Sequence, residues 1–355
     1  MSILFSPFRL RGLELRNRVV MSPMCQYSST DGLPNDWHVV HLGSRAVGGV
    51  SLVLTEATGV TPEGRISPAD TGIWSDAHAE AWAKIARLVK SHGAAVGMQL
   101  AHAGRKASTH VPWQGGREVP ESEGGWPSVA PSALRFGDGY PMPRALTAAG
   151  IRRVVDDFAA AAARALLAGF DCVEIHAAHG YLLHEFLSPL SNERTDEYGG
   201  SLENRMRLPL EVARAVREAW PAERPLLVRI SASDWAEGGW DLEQSVELCR
   251  GLRAAGVDLV DCSSGGLVPH AKVPLGPGYQ VPFAAAIRAR AGIATGAVGM
   301  INAPDLAEQI LASGQADLII MARALLNDPY WPLHAAKVLK AKIAWPPQYE
   351  RGDVF

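Results

Sequence analysis

The sequence predicts an α/β fold, a (β/α)8 (TIM) barrel in a single domain over residues 1–355, with an N-terminal hairpin and a long lid-like excursion after the third strand. Three observations carry this. Short apolar runs rich in β-branched residues alternate with amphipathic helical stretches eight times, the number that closes a parallel barrel. Helical stretches stop at Gly48-Gly49, Gly93, Gly169, Pro221 and Gly256, residues that favour a left-handed turn or cannot continue the hydrogen-bond ladder. Polar and chemically unusual side chains collect at the ends of the apolar runs, the face on which such barrels carry their reactive groups. A doubly wound open sheet, the rival architecture, would more often show a Gly-rich first turn, and no G-x-G-x-x-G is present.

In chain order, residues 8–20 alternate apolar and basic positions about Gly12, as a short hairpin with one wet face does. Residues 19–24 form the first strand, and helical spacing follows over residues 36–47. Residues 51–57 and 95–102 are the second and third strands, separated by a helix over 76–92 with Trp82, Ile85, Leu88 and Val89 on one face. Residues 103–146, crowded with Pro, Gly and Trp, predict a loop long enough to serve as a lid. Thr147 caps an alanine-rich helix ending at Gly169. A fourth strand within 171–183 then runs into His176, His179 and Tyr181, followed by a polar connection over 187–200 and a helix over 202–220. Strands over 226–231, 259–265, 293–299 and 318–322 complete the set, with helices over 242–255, 282–291, 303–313 and 329–339, and a C-terminal tail from 340 to 355.

With 47% hydrophobic and only 20% charged residues, the chain supplies a large core. A formal net charge of -3 without a basic cluster points away from nucleic acid and toward a small-molecule partner. Cysteines 25, 172, 249 and 262 form no C-x-x-C pair, which argues against a zinc ribbon or a self-contained iron-sulfur site and fits a reducing cytosol. No segment reads as a signal peptide or membrane span, so a soluble cytoplasmic protein is expected. The P-loop, G-x-S-x-G and H-E-x-x-H signatures are absent.

The strand ends present Cys25 and Tyr27, Ala57, Gln99 and His102, His176, His179 and Tyr181, Arg229, Ser263 and Ser264, Gly299 and Arg323. Each has a plain reading: a buried thiol, a satisfied core amide, a buried ion pair for Arg229. Convergence on one mouth favours chemistry. The small residues Ala297, Val298, Gly299 and Met300, with Arg323 at the next strand end, suit a phosphate held by backbone N–H groups and one guanidinium. Arg229 in an apolar strand demands an anionic or oxygen-rich partner, so a phosphate-bearing aromatic cofactor across the mouth is expected. Two alternatives remain at this point: a metal-dependent barrel hydrolase or lyase with His176, His179 and His102 as ligands, and a non-catalytic cofactor-binding or scaffold protein.

The motifs His176-Ala177-Ala178-His179-Gly180-Tyr181-Leu182, Ser188-Pro189-Leu190-Ser191-Asn192 continuing through residues 194–205, and Val228-Arg229-Ile230-Ser231 resemble those of the old yellow enzymes, FMN-dependent ene-reductases, nearly from end to end of the chain. Cys25, Tyr27 and Gln348-Tyr349-Glu350-Arg351-Gly352 resemble the thermophilic-like, xenobiotic-reductase-like branch. The scattered cysteines separate the chain from the related dienoyl-CoA reductases, which add an iron-sulfur cluster. The resemblance implies a single FMN-binding barrel, with Pro23, Met24, Cys25, Ala57, Gln99, Arg229, Ser263, Gly299, Met300 and Arg323 lining FMN, Ser264 close by, and no metal. It implies NAD(P)H as reductant and an activated alkene as substrate, its oxygen held by His176 and His179 with help from Tyr27, with Tyr181 as proton donor and Cys25 tuning the flavin. It further implies a homodimer or homotetramer in which Arg351 reaches a neighbouring subunit's site.

Overall fold

In the computed structural model, which describes residues 2–353, Phe8–Leu10 and Leu13–Leu15 pair antiparallel. Gly12 in their turn donates its N–H to Glu223 O at 2.9 Å, and a Cβ there would sit equally close to that oxygen. Eight parallel strands then close a barrel: β1 (Val19–Met21), β2 (Leu52–Gly59), β3 (Ala95–Ala101), β4 (Cys172–Ala177), β5 (Leu226–Ser231), β6 (Leu259–Ser263), β7 (Ala294–Ala297) and β8 (Leu318–Met321), each paired with its chain neighbour and β8 with β1.

Alternate residues of the strands serve two cores, as a period of two requires. Val19, Val53, Val173, Ile175, Val228 and Val260 face outward into a cluster shared with the surrounding helices. Val20, Leu52, Leu54, Cys172, Leu227, Leu259 and Ile320 face inward and join Leu10 and Leu15 of the hairpin, which closes the floor of the barrel. Above that floor the same inward parity brings up Gln99, Glu174, Arg229 and Asp261, with Gln99 level with Glu174 and Arg229 level with both His176 and Asp261. Gly97 and Gly296 keep the interior open to bulk, since a Cβ would lie 2.5 Å from Cys172 Sγ and Leu54 Cδ2, or 2.3 Å from Ile320 Cδ1.

The outer layer comprises α1 (Asp36–Val47), α2 (Asp76–Ser91), α3 (Ala148–Leu167), α4 (Leu182–Leu187), α5 (Leu202–Ala219), α6 (Leu242–Ala254), α7 (Val281–Ala291), α8 (Pro304–Ala312), α9 (Arg323–Asn327) and α10 (Trp331–Val338). Most follow the predicted order. Two do not: α4 begins directly after Tyr181, where only a loop is expected, and α9 precedes the predicted terminal helix. The excursion over 103–146 holds three 3-10 turns and a two-residue parallel ladder between Val129–Ala130 and Arg144–Ala145. The tail folds as a 3-10 turn, Pro347–Gly352, against α10, with Tyr349 edge-on to Tyr330 at 5.9 Å; residues 354 and 355 of the expected tail lie outside the described residues. Among the described residues no helix is long and apolar enough to cross a membrane.

Candidate active site

β4 delivers His176 to the barrel mouth, where it is 3% exposed. Its Nδ1 accepts the Ala178 N–H at 3.3 Å, which leaves the ring hydrogen on Nε2. The chain then turns through two left-handed residues, His179 (φ 59) and Gly180 (φ 72), and Tyr181 starts α4. This turn stacks the three rings edge to face: His176 lies 5.2 Å from His179 and 5.0 Å from Tyr181, both near perpendicular. His179 donates its N–H to Ser231 Oγ at 2.9 Å, and its Nε2 lies 2.7 Å from Ser263 Oγ. Burial, and after it the charge of Arg229, holds both imidazoles well below the ordinary histidine range. Burial also raises the Tyr181 phenol well above its ordinary value. At neutral pH the cluster is therefore two neutral imidazoles and one protonated phenol.

The segment after β1 faces this cluster. Tyr27, in a left-handed conformation (φ 50), stands edge-on to Trp113 at 5.7 Å. Glu56 anchors the segment by accepting the Gln26 N–H at 2.9 Å while lying 3.0 Å from His38 Nε2. Burial, then Asp70 and Glu56, push the Cys25 thiol well up, so it stays protonated, and burial likewise raises the Tyr27 phenol. Lys106, inside the predicted excursion and missed by sequence reasoning, donates to His179 O at 2.8 Å and Gly266 O at 2.6 Å, and burial lowers it to about 7. Tyr27, Lys106, Arg117, Tyr140 and Tyr181 share the walls of a cavity of about 500 Å³.

A second cavity of about 300 Å³ lies over β5 to β8 and is lined by Arg229, Ser263, Gln280, Gly299, Met300 and Arg323. Gly299 (φ 124) is required there, because a Cβ would meet Gln280 Nε2 and Tyr279 Cε1 at 2.9 Å. Gln280, also missed, accepts from Ser264 Oγ at 2.6 Å and donates to Val298 O at 2.9 Å. The N–H groups of Gly299 and Met300 find no backbone acceptor among the described residues, and exposed Arg323 makes no ion pair among them.

Inward positions of β3 to β6 carry a charged layer that reaches the second cavity at Arg229. The Arg229 Nε lies 3.0 Å from Asp261 Oδ2, off the axis of a well-formed hydrogen bond, so the plain ion-pair reading of Arg229 is realised while the residue also lines the cavity. Gln99 Nε2 donates to Glu174 Oε1 at 2.8 Å. Burial, then Asp261, raises Glu174 to about 8 against the opposing pull of Arg229 and Gln99.

Other expected residues fall elsewhere. Ala57, level with Gln99, is 5% exposed, and half-buried Met24 packs on the outer core; Pro23, Met24, Ala57 and Gln99 line neither cavity. Ser263 is tied to His179 as well as facing the cavity. His102 is buried, its Nδ1 accepts the Gly104 N–H at 3.1 Å, and its ring lies against Gly64. Among the described residues no group of three or more His, Cys, Asp or Glu side chains is arranged to hold a metal ion. Arg351 is exposed in the tail turn and lines neither mouth cavity of its own chain. A further cavity of about 470 Å³ lies between α10 and the tail and shares no lining residue with the two mouth cavities.

Residues 3–342 match the model of the NADH:flavin oxidoreductase / NADH oxidase family. The chain belongs to this family. A NADPH dehydrogenase of Geobacillus thermodenitrificans is 52% identical over 356 residues, covering 100% of this chain and 99% of that protein. The NADPH dehydrogenase of Bacillus subtilis is 50% identical over 351 residues, covering 98% of each. Among solved structures, morphinone reductase superposes with a TM-score of 0.79 at 30% identity, over 98% of this chain and 92% of that one. The old yellow enzyme homologue from Zymomonas mobilis gives 0.80 at 30% identity, over 96% and 94%. As a member of the NADH:flavin oxidoreductase family the chain is an enzyme, an FMN-dependent oxidoreductase of the old yellow enzyme kind.

Proposed function

We propose that the enzyme uses NAD(P)H to reduce the C=C bond of α,β-unsaturated carbonyl compounds and similarly activated alkenes. The observation that carries this reading is the group of two neutral imidazole donors and one protonated phenol, with ring centres 5.0 and 5.2 Å from His176, beside a separate cavity suited to an anion.

The residues present fit FMN. A cradle that any Cβ at Gly299 would fill, N–H groups at Gly299 and Met300 with no backbone acceptor among the described residues, and Arg323, which makes no ion pair among them, suit its phosphate. Arg229, which lines the same cavity, would offer donors to the carbonyl oxygens of a flavin ring. Ser263 lines the same cavity; Pro23, Met24, Cys25, Ala57 and Gln99, which line neither cavity, would meet FMN in this reading only beyond it, with Cys25 as a neutral thiol that would tune the potential. When bound, FMN would supply hydride transfer between NAD(P)H and the β-carbon of the alkene.

The chain's own groups do the rest. His176 and His179 donate to the conjugated oxygen as negative charge builds there, and donors fixed in advance stabilise the transition state more than the ground state. Tyr181 gives its proton to the α-carbon, and Tyr27 helps hold the oxygen. The excursion over 103–146 acts as a lid carrying Lys106, Arg117 and Tyr140. In an oligomer, dimer or tetramer, Arg351 of one subunit enters the neighbour's site. A cytoplasmic location suits the four free thiols.

The test is anaerobic reduction with NADPH followed by mixing with cyclohexenone. Rapid reoxidation is expected, slowed about 100-fold or more in His176→Ala, the loss typical of one oxyanion donor. Reoxidation of the variant at the parent rate would refute the assignment.

A further inference from the structure

Between His179 and Tyr181 stands Gly180, which has no side chain, so the orientation of both neighbours depends on how its peptide is held. One face of the turn is pressed against the loop after β6. A Cβ on Gly180 would lie 2.3 Å from Gly266 O, and a Cβ on Gly266 would lie 2.7 Å from His179 Cα. On the other side the Gly180 N–H donates to Nδ1 of His184, at 2.9 Å. His179 holds a left-handed φ of 59, and a non-glycine residue keeps such a conformation only where its surroundings over-determine it.

His184 lies in the first turn of α4, is fully buried, and lines neither mouth cavity. An N–H donor at Nδ1 requires a lone pair there, so the ring hydrogen sits on Nε2. That nitrogen lies 2.9 Å from Asp234 Oδ1, off the ring's N–H axis, and both side chains have no solvent exposure. Asp234 is itself fixed: Oδ2 accepts from Ser188 Oγ at 2.6 Å and from the Trp240 N–H at 2.7 Å. A carboxylate beside Nε2 favours hydrogen at that position and opposes the tautomer that would turn an N–H against Gly180.

We propose that His184, oriented by Asp234, is a positioning residue that sets the turn carrying His179 and Tyr181 through the Gly180 N–H. The idea rests on the ene-reductase reading of that turn. Neither residue touches a reacting atom. Their effect is to aim two groups that do, and displacements near 1 Å at such groups lower rates by about 100-fold.

The experiment compares His184→Asn, His184→Leu and Asp234→Asn in the FMN-loaded enzyme. Asn retains an acceptor close to the place of Nδ1, whereas Leu fills the space without one. Three quantities are read: FMN retained per chain, the affinity for p-chlorophenol from its long-wavelength absorbance on the flavin, and the rate of reoxidation by cyclohexenone. His184→Leu is expected to keep FMN, bind the phenol about 10-fold more weakly and reoxidise about 10-fold or more slowly. His184→Asn is expected within about 3-fold of the parent, and Asp234→Asn between the two. Parent phenol affinity and reoxidation in His184→Leu would overturn the proposal, as would equal losses in the Asn and Leu variants. Should His184→Leu not fold, Asp234→Asn decides by the same readouts, with parent values overturning the proposal. If the parent enzyme itself is not reoxidised by cyclohexenone, the ene-reductase reading fails, and the phenol affinities still report whether His184 sets the turn.

Discussion

Replacing Arg229 with Met tests the charged layer that separates the apolar floor of the barrel from its mouth. Asp261 has no solvent exposure, and neither of its oxygens has a well-formed hydrogen bond; Glu174 is equally buried and one of its oxygens is also unpartnered. Arg229, 3.0 Å from Asp261, is the cation that offsets both. Removing one partner of a buried pair leaves an uncompensated charge, which costs about 3–5 kcal/mol. Much of that cost depends on pH, and its sign follows from the protons bound. Burial already raises Glu174 to about 8 in the folded protein, above the ordinary carboxyl value of an unfolded chain. Between those values the folded state binds more protons than the unfolded state, so this group's contribution falls as pH rises through the window. Loss of Arg229 pushes the carboxyls up further, and a group raised further costs stability relative to the parent only above the parent's own value, so the penalty is larger near pH 9 than near pH 5. Adding Asp261→Asn to Arg229→Met removes one stranded charge and should recover about 1–3 kcal/mol. The assay is urea unfolding at both pH values, with and without added FMN, because a ligand that binds only the native state adds to apparent stability. A single variant as stable as the parent, or a penalty that does not change with pH, would refute the reasoning.

Three further outcomes follow from the site. Gly299→Val forces a left-handed β-branched residue against Gln280 and Tyr279, so FMN affinity measured by flavin fluorescence should fall at least about 10-fold, and an unchanged affinity would contradict the phosphate cradle. Since His176 and His179 are held well below the ordinary range, the reoxidation rate should show no imidazole ionisation between pH 6 and 8; a step near 6.5 that disappears in His179→Asn would count against neutral donors. Ser263→Ala removes the hydroxyl 2.7 Å from His179 Nε2 and should slow reoxidation about 5-fold while FMN stays bound, the effect of roughly 1 kcal/mol of lost hydrogen bonding; loss of FMN instead would make Ser263 chiefly a cofactor ligand.

Where local pattern decided structure, the sequence was readable. The two-residue alternation of Cys172–Ala177 sends Val173 and Ile175 to the helices and Cys172, Glu174 and His176 to the lumen, and glycines stopped the helices where expected. Helix α4 escaped because it is only six residues long and all six, His184 and Glu185 included, are buried, so Leu182–Leu187 has no solvent-facing side to reveal a helical period. The site was legible as a set of strand-end residues but not as a network. Lys106 reaches His179 across 73 positions and Gly266 across 160, and Gln280 joins Ser264 from the loop preceding α7. Such contacts follow from barrel closure, which no window of sequence contains. Arg351 lies on an exposed turn of its own chain, and its proposed destination belongs to a second subunit.

Arg229 shows why identifying a residue as a ligand describes only part of what it does. Expected as a partner for a cofactor, it also lowers the proton affinity of His176, His179, Glu174 and Asp261, while burial acts on the same four groups with opposite sign for the acids. Burial and the guanidinium reinforce one another at the histidines, keeping them neutral, and oppose one another at the carboxyls. A neutral replacement therefore shifts four protonation equilibria together, in one direction, toward more bound protons. The imidazoles lose part of what keeps them uncharged at the moment the carboxyls beneath them lose their counter-charge. Because the strands hold Arg229 level with both His176 and Asp261, the donors at the mouth and the acids in the lumen respond to the same cation, and neither set can be tuned without the other.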